Sequence, residues 1–590
     1  MIMSYTLSNY HKERPFSSFL PGVAGQLGVP MWVFYVNRGQ AVTSFGVESK
    51  DIPLMEFQPA NKAYQRTATE GFRTFVKWKK GADNGFYEPF SGYQTSKVSK
   101  TFEVSPFQNM LVSMSELTLT DENPVLGLKT EVTYFTLPNE SFAALARQVT
   151  ITNTGDTPLE LEILDGMPAL IPYGIDNGAL KMVGRTIEAW MQVVHLETGL
   201  PFFRLDATPG DTAQVQEIQA GHFALGFSAE GKNTAIVDPT LIFGANTSLS
   251  TPDNFLTQPL AELQKGNQIT VGKTPCAFFG NSTTLDSAES LTLYALFGHV
   301  NGYENIINER ERIATPTYFS QKRSENQNLI QNLTDTVATK TADPRFDAYV
   351  RQTYLDNILR GGTPILLGGQ PYHIYSRKHG DPERDYNHFF LAAEFYSQGN
   401  GNFRDVCQNR RSDVLLEPRL VDHNIRTFLS LIQLDGYNPL VIRGTSFYLD
   451  PEQRTALLTL VTNPDLGLVT LLEGGFSPGS LLKYIVDHHI TLTVPYDEFI
   501  ERALRHATPQ LNADYGEGFW VAHWTYILDL VENFLAVYPD RKDELFAAKI
   551  PFYRSPAQVR PRSERYQITE QGIRQYDAVA HIGEAGWING

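Results

Sequence analysis

Cysteine is nearly missing from this chain: Cys276 and Cys407 are the only two in 590 residues. That excludes a disulfide framework and a thiolate metal cluster, and it points to a reducing compartment. Basic charge is also short. With 49 Lys and Arg against 65 Asp and Glu, the net charge of −16 leaves no concentrated cationic surface of the kind that nucleic acids require. No apolar run reaches the ~20 residues needed to span a bilayer, and the first residues, with His11, Lys12, Glu13 and Arg14, lack the continuous apolar core of a secretory signal. The expectation is a cytoplasmic protein with neither a membrane nor a nucleic-acid partner. Elements common in other enzyme classes are absent too: there is no Gly-x-x-x-x-Gly-Lys-Ser/Thr phosphate loop and no dinucleotide fingerprint.

Aromatic residues are plentiful at 12% and hydrophobic ones make up 42%. Such a chain is too long for one core, and roughly 100–200 residues per domain predicts several. From about Met31 to Val300 the pattern alternates between apolar and polar residues over Met31–Asn37, Met110–Thr120, Lys129–Leu137, Ala146–Asn153 and Leu159–Leu164, and Leu291–Val300 reads as the last strand. Asn153-Thr154-Gly155-Asp156 followed by Pro158 reads as a hairpin turn with Gly at positive φ. An antiparallel β-sandwich over 1–303 is the expectation, and it could support a homodimer.

The period then changes. Glu304–Ile313 and Ser320–Lys340 read as a helical linker over 304–343. Beyond Asp343-Pro344, apolar faces recur at helical spacing over Phe346–Leu359, His388–Tyr396, Leu420–Leu434, Glu452–Val461, Ser480–Val486, Tyr496–Arg505 and Val521–Tyr538, separated by loops such as Gly361–Gly369 and Gly474–Gly479. Helix upon helix predicts an (α/α)6 toroid over 344–590 in a multidomain β + α protein, with the loops at one end lining a central pit.

Two segments of the helical half could do chemistry. In Ala513-Asp514-Tyr515-Gly516-Glu517-Gly518-Phe519-Trp520, two carboxylates stand among glycines and aromatics ahead of a helix. Glycines permit close approach to a ligand. Aromatic faces suit a pyranose, and a desolvated carboxyl gains the raised pKa of a proton donor. Asp514 could equally cap the helix. In Asn402-Phe403-Arg404-Asp405-Val406-Cys407-Gln408-Asn409-Arg410-Arg411-Ser412-Asp413, the Arg, Asp and amide groups suit sugar hydroxyls, and Arg410 or Arg411 could meet a phosphate. Arg384-Asp385-Tyr386-Asn387-His388 reads as a cap. Asp487-His488-His489 is not read as a metal site, because adjacent histidines in an extended segment point to opposite faces.

In this order, the domains and segments resemble the glycoside hydrolase family 94 phosphorylases and their β-1,3-oligoglucan phosphorylase relatives. The family's Gly-Phe-Arg-Asp-Gln-x-Gln-Asp donor-subsite motif is similar to Asn402–Asn409, with Asn409 in place of the final Asp. Its Gly-Asp-Trp-Asn-Asp-Gly loop is similar to Ala513–Gly518, which places Glu517 at the proton donor and Tyr515 at the aromatic. The resemblance implies inverting phosphorolysis of a β-linked gluco-oligosaccharide to α-glucose 1-phosphate, with inorganic phosphate as co-substrate and no cofactor or metal. It also implies Glu517 or Asp514 as the acid, and Phe403, Arg404, Asp405, Gln408, Asn409, Tyr515 and Trp520 at the sugar. By the same comparison the chain reads as an N-terminal fragment of an incomplete toroid, with the phosphate ligands beyond residue 590. A hydrolase of the same fold and a non-catalytic glucan-binding protein are the alternative readings.

Overall fold

The computed structural model describes residues 4–91, 93–96, 107–208, 217–378, 388–516, 520–575, 578–581 and 586–588. The chain is a mixed β and α protein with several antiparallel sheets, and it divides into two compact units. The first contains residues 1–333 and 380–388; the second contains 334–379 and 389–590.

The first unit holds a 10-stranded, a 6-stranded and a 4-stranded sheet. Alternating segments form the strands Trp32–Val36, Leu128–Thr136, Ala143–Asn153, Leu159–Met167 and Ser290–Val300, close to where the sequence pattern puts them. Two details differ. The stretch Met110–Thr120 is a hairpin rather than one strand, since Phe107–Val112 and Leu117–Asn123 pair across a turn in which Ser113 Oγ caps Ser115 and Glu116. The turn at Asn153 joins strands of different sheets: Ala143–Asn153 runs in the 10-stranded sheet, and Leu159–Met167 in the 6-stranded one. Gly155 is not among the residues at positive φ; the Asn153 side chain makes the turn by accepting from Gly155 N at 2.9 Å.

The two largest sheets are tied together by a fully buried ion pair. Arg147, on the 10-stranded sheet, donates to Asp165 of the 6-stranded sheet at 3.0 and 2.7 Å, to Gln40 at 2.5 Å and to Thr74 at 3.2 Å. Its guanidinium lies 4.9 Å from the Phe72 ring and 5.2 Å from that of Tyr134. Every polar arm of the arginine except one reaches a named acceptor, and Tyr134 takes that one. The helix Pro316–Asp335 seats Tyr318 and Phe319 in the same apolar core as Phe135, Phe227 and Leu296, and pins itself to the sheet through Arg323–Glu116 and Lys322–Glu140. That part of the predicted linker is packed as a layer of the first unit.

The second unit combines helices with short strands. The helix α1 (Pro344–Gly361) is followed by the hairpin β1 (Thr363–Leu367) and β2 (Gln370–Ile374), where the sequence reading has only a loop. Gly368 and Gly369, at φ +58° and +79°, supply the left-handed pair that a two-residue hairpin turn demands. Residues 388–396 form no helix. Then come β3 (Gly401–Asn402), α2 (Phe403–Arg410), α3 (Asp413–Leu416), α4 (His423–Ser430) and β4 (Val441–Tyr448); after the helices Pro451–Leu458, Leu466–Gly474, Pro478–Asp487 and Tyr496–Arg505 follow β5 (Thr508–Asp514) and α5 (His523–Val537). Phe403, Phe428, Ile442, Ile527, Leu530 and Phe534 fill the core between these elements. No described helix is long and apolar enough to cross a membrane.

Candidate functional site

A three-stranded antiparallel sheet, β3-β4-β5, brings the two chemical segments together. Asn402 stands opposite Val441, and Val441 stands opposite Asp514. Directly opposed residues share a face of the sheet, so Asn402 and Asp514 point the same way from backbones two strand spacings, or roughly 10 Å, apart. The main chain fixes the arrangement: Phe403 N donates to Leu440 O at 3.0 Å and Leu440 N to Asp514 O at 2.8 Å.

From Asn402 the chain enters α2. Asn402 Nδ2 donates to Asp405 Oδ2 at 3.1 Å, and Arg404 Nε to Asp405 Oδ1 at 3.0 Å. Arg404 is exposed, Asp405 half-buried. Asp514 is held by Arg443 Nε at 2.6 Å. The register of β4 slips between Ile442 and Gly444, which makes Arg443 the extra residue of a bulge; bulges re-aim side chains in this way. Gly444 completes it at φ +113°, where an added Cβ would lie 3.0 Å from Gln398 Oε1.

The remaining predicted residues divide. Phe403 is fully buried, 5.4 Å from Phe428 and 5.0 Å from His523 between ring centroids, so it seats the helix rather than facing a ligand. Gln408 and Asn409 are half-buried on α2, and Asn409 Nδ2 donates to Asp405 O at 2.6 Å. Tyr515 stacks between Tyr437, at 5.7 Å, and Tyr553, at 4.9 Å, and its hydroxyl donates to Leu431 O at 2.6 Å. This ring is used in packing. Trp520 is 52% exposed. Glu517, Gly518 and Phe519 lie outside the described residues, as do Arg384 to Asn387. Asp487 pairs with Lys483 and His488 stacks on Tyr484 at 3.9 Å.

The helix after the loop, α5, buries one face and exposes another. His523, Ile527, Leu530 and Phe534 point inward, whereas Trp524 and Leu528 are exposed with Trp520. His523 is therefore a residue that pattern reading missed. Burial, then the neighbouring Arg404 charge, pull its pKa down to about 4 against a smaller opposing effect of Asp405, and its Nδ1 is buried without a partner. Nothing in the sequence marks it except its place three residues after Trp520.

A second polar group lies beyond the other end of α2. His373 Nε2 and Asp413 Oδ2 are 2.8 Å apart, and Asn424 Nδ2 donates to the same oxygen at 3.0 Å. Burial raises the Asp413 carboxyl to about 7 although Arg410 pulls the other way, and burial lowers His373 well below the usual imidazole range. The neutral form of the pair follows, with Asp413 carrying the proton and donating it to His373. Burial, with His373 and Arg410 adding to it, also holds His423 down at about 3.

These buried neutral imidazoles have a consequence for stability. An unfolded histidine takes up a proton near pH 6.5, and His423, His523 and His373 refuse it in the fold, so their contribution is lost as pH falls from 6.5 toward 4 and below. Asp413 acts oppositely, since its raised pKa favours the fold as pH drops from about 7 to its unfolded value near 4. Three imidazoles outweigh one carboxyl. The melting temperature of the second unit should fall between pH 6.5 and 4, each imidazole contributing up to about 1.4 kcal/mol per pH unit. A melting temperature that is flat or rises over that interval in circular dichroism scans would contradict their burial as neutral rings.

No protein-family model and no curated protein matches the chain. Among solved structures, a polysaccharide lyase aligns with 48% of this chain and 34% of its own at 11% identity and a TM-score of 0.28. A protein described as a kojibiose phosphorylase from the human microbiome aligns with 90% of this chain and 50% of its own at 8% identity and a TM-score of 0.20. Both names are those of carbohydrate-active proteins; both likenesses are weak. The chain spans about a third of the length of the first and half that of the second.

Proposed function

We propose that this protein is a carbohydrate-active enzyme that carries out inverting phosphorolysis of β-linked gluco-oligosaccharides, releasing α-glucose 1-phosphate. The observation that carries the reading is the strand register Asn402–Val441–Asp514, because it gathers on one sheet face the two segments that the family resemblance ties to the donor sugar and to the acid. Arg404 and Asp405 hold the donor glucose through charge-assisted hydrogen bonds. Trp520 offers its exposed ring to the sugar's apolar face. With Asp514 occupied by Arg443, Glu517 is the proton donor to the glycosidic oxygen. Phosphate attacks the anomeric carbon from the opposite side, the glycosidic C–O bond breaks, and the departing sugar takes the proton from Glu517. Phosphate is already anionic, so no second carboxylate is needed as base. The helices of the second unit are read as part of an (α/α)6 toroid, and the protein as acting on a soluble β-glucan in the cytoplasm, alone or as a homodimer.

One geometric fact favours a second reading, an inverting hydrolase. Asp405 is hydrogen-bonded to Asn402, whose backbone stands roughly 10 Å from that of Asp514 on one sheet face, so two carboxylates approach the site, as an acid and a base flanking a water require. Incubating the chain with laminaribiose or cellobiose, with and without orthophosphate, separates the two. Phosphorolysis gives glucose 1-phosphate only when phosphate is present, whereas free glucose formed at the same rate without phosphate establishes hydrolysis.

A further inference from the structure

The last turn of α2 opens on a cavity of about 200 Å³ within the second unit. Drug-sized sites run from roughly 300 Å³ upward and a water takes about 30 Å³. The space thus suits a molecule no larger than a single sugar ring.

Its walls are polar and uncharged in effect. Tyr354 and Asn357 come from α1, Thr363 from β1, Asn409 from α2, Ser412 from the turn that follows and Asp413 from the start of α3. Pro364 and Leu416 add apolar surface. Among the described residues no basic side chain lines the cavity, which argues against a phosphate or carboxylate ligand. Arg410 is turned away, donating from Nε to Gly361 O at 2.6 Å, and Glu417 is taken by Arg419 at 2.7 and 2.6 Å. His373 and Asn424 both meet Asp413 at Oδ2, so Oδ1 is left for the cavity that Asp413 lines. A buried carboxyl with one oxygen seated on an imidazole and an amide, and the other facing a small polar hollow, is built to grip a hydroxyl group.

We propose that this cavity binds one small uncharged polyhydroxylated molecule of monosaccharide size, anchored by a hydroxyl on Asp413. It lies toward the opposite end of α2 from the sheet face carrying Asn402 and Asp514: Asn402 precedes the helix, and Asn409, the α2 residue that lines the cavity, is seven residues or about 10 Å further along the axis. Binding is coupled to a proton. The empty carboxyl is protonated up to about pH 7 among its charged and titratable neighbours Arg410, His373, His423 and Tyr354. A ligand hydroxyl donating to Oδ1 favours the carboxylate, so the proton leaves as the ligand enters and affinity rises with pH through neutrality.

Calorimetric titration of the full chain with D-glucose, myo-inositol and glycerol tests this. At least one should bind at one site per chain, about tenfold tighter at pH 8 than at pH 6, with a binding heat that varies with the ionisation heat of the buffer. Asp413→Asn should remove the pH dependence and the proton release. Leu416→Trp, at a position 44% exposed and so tolerant of a larger ring, should close the cavity and abolish binding, and it alone decides if the Asp413 variant does not fold. Phosphate-dependent release of glucose 1-phosphate by Leu416→Trp should continue, so that the two sites fail separately. Binding of none of the three compounds, or binding that survives the tryptophan, overturns the proposal.

Discussion

Glu517→Gln is expected to reduce glucose 1-phosphate formation by about 10²–10⁴-fold, the usual worth of a positioned general acid, while leaving the affinity for oligosaccharide near that of the parent. The amide keeps the size of the side chain and can still accept or donate a hydrogen bond, but it has no proton to give to a departing sugar. The control is Asp514→Asn. Asp514 is bound to Arg443 and sits at a strand end whose position the main chain fixes, so its loss should weaken substrate positioning and cost less than the Glu517 change. If the large loss appears at Asp514 instead, the acid has been assigned to the wrong carboxylate of the pair. Turnover within about tenfold of the parent in both variants would remove the glycosidic chemistry from this loop altogether.

The second large effect is on folding. Asp165→Leu should destabilise the first unit by about 3–5 kcal/mol, because it leaves the fully buried Arg147 guanidinium without its carboxylate. Gln40, Thr74 and Tyr134 remain as acceptors, but none carries a charge to balance it. Joining Arg147→Met to Asp165→Leu should restore most of the loss, since two apolar side chains in that space remove the uncompensated charge rather than create one. Urea unfolding followed at two probes, one in each unit, is the measurement, because a chain of two compact units need not unfold in a single step. A single variant within about 1 kcal/mol of the parent, or a double variant no better than the single, would show that the ion pair is not what ties the two sheets.

Part of the first unit can be read directly from period-two alternation, as over the first halves of Leu128–Thr136 and Ser290–Val300, where one face is buried and the pattern reports it; the second halves are buried on both faces. What alternation cannot report is the partner. The turn at Asn153 has the composition of a hairpin, yet its flanking strands go to different sheets, because pairing is decided by Leu159–Met167 fitting between Arg73–Lys80 and Ala277–Leu285. Short strands in the second unit are hidden for another reason. Thr363–Leu367 lies in a Gly-rich stretch that reads as a loop and becomes a strand of a local hairpin with Gln370–Ile374, whereas Val441–Tyr448 becomes a strand by pairing with the distant Gly401–Asn402 and Thr508–Asp514.

The candidate site shows the same division. Arg404 and Asp405 announce themselves by chemistry and spacing, and their neighbour Asp514 by its glycine-rich surroundings. His523 does not, because a buried imidazole in an apolar helix resembles any core position until Arg404 is placed beside it. Arg443 is invisible for a similar reason: its aim depends on a bulge that appears only once β4 has paired with β5. Phe403 and Tyr515, both aromatic residues of the chemical segments, are spent on packing.

The ladder from Asn402 through Val441 to Asp514 is made of amide and carbonyl groups, which every residue but proline provides in full. Side chains at its ends can therefore be exchanged while the frame that spaces them keeps its dimensions. A lineage carrying this sheet is free to trade one end group for another without the architecture being rebuilt.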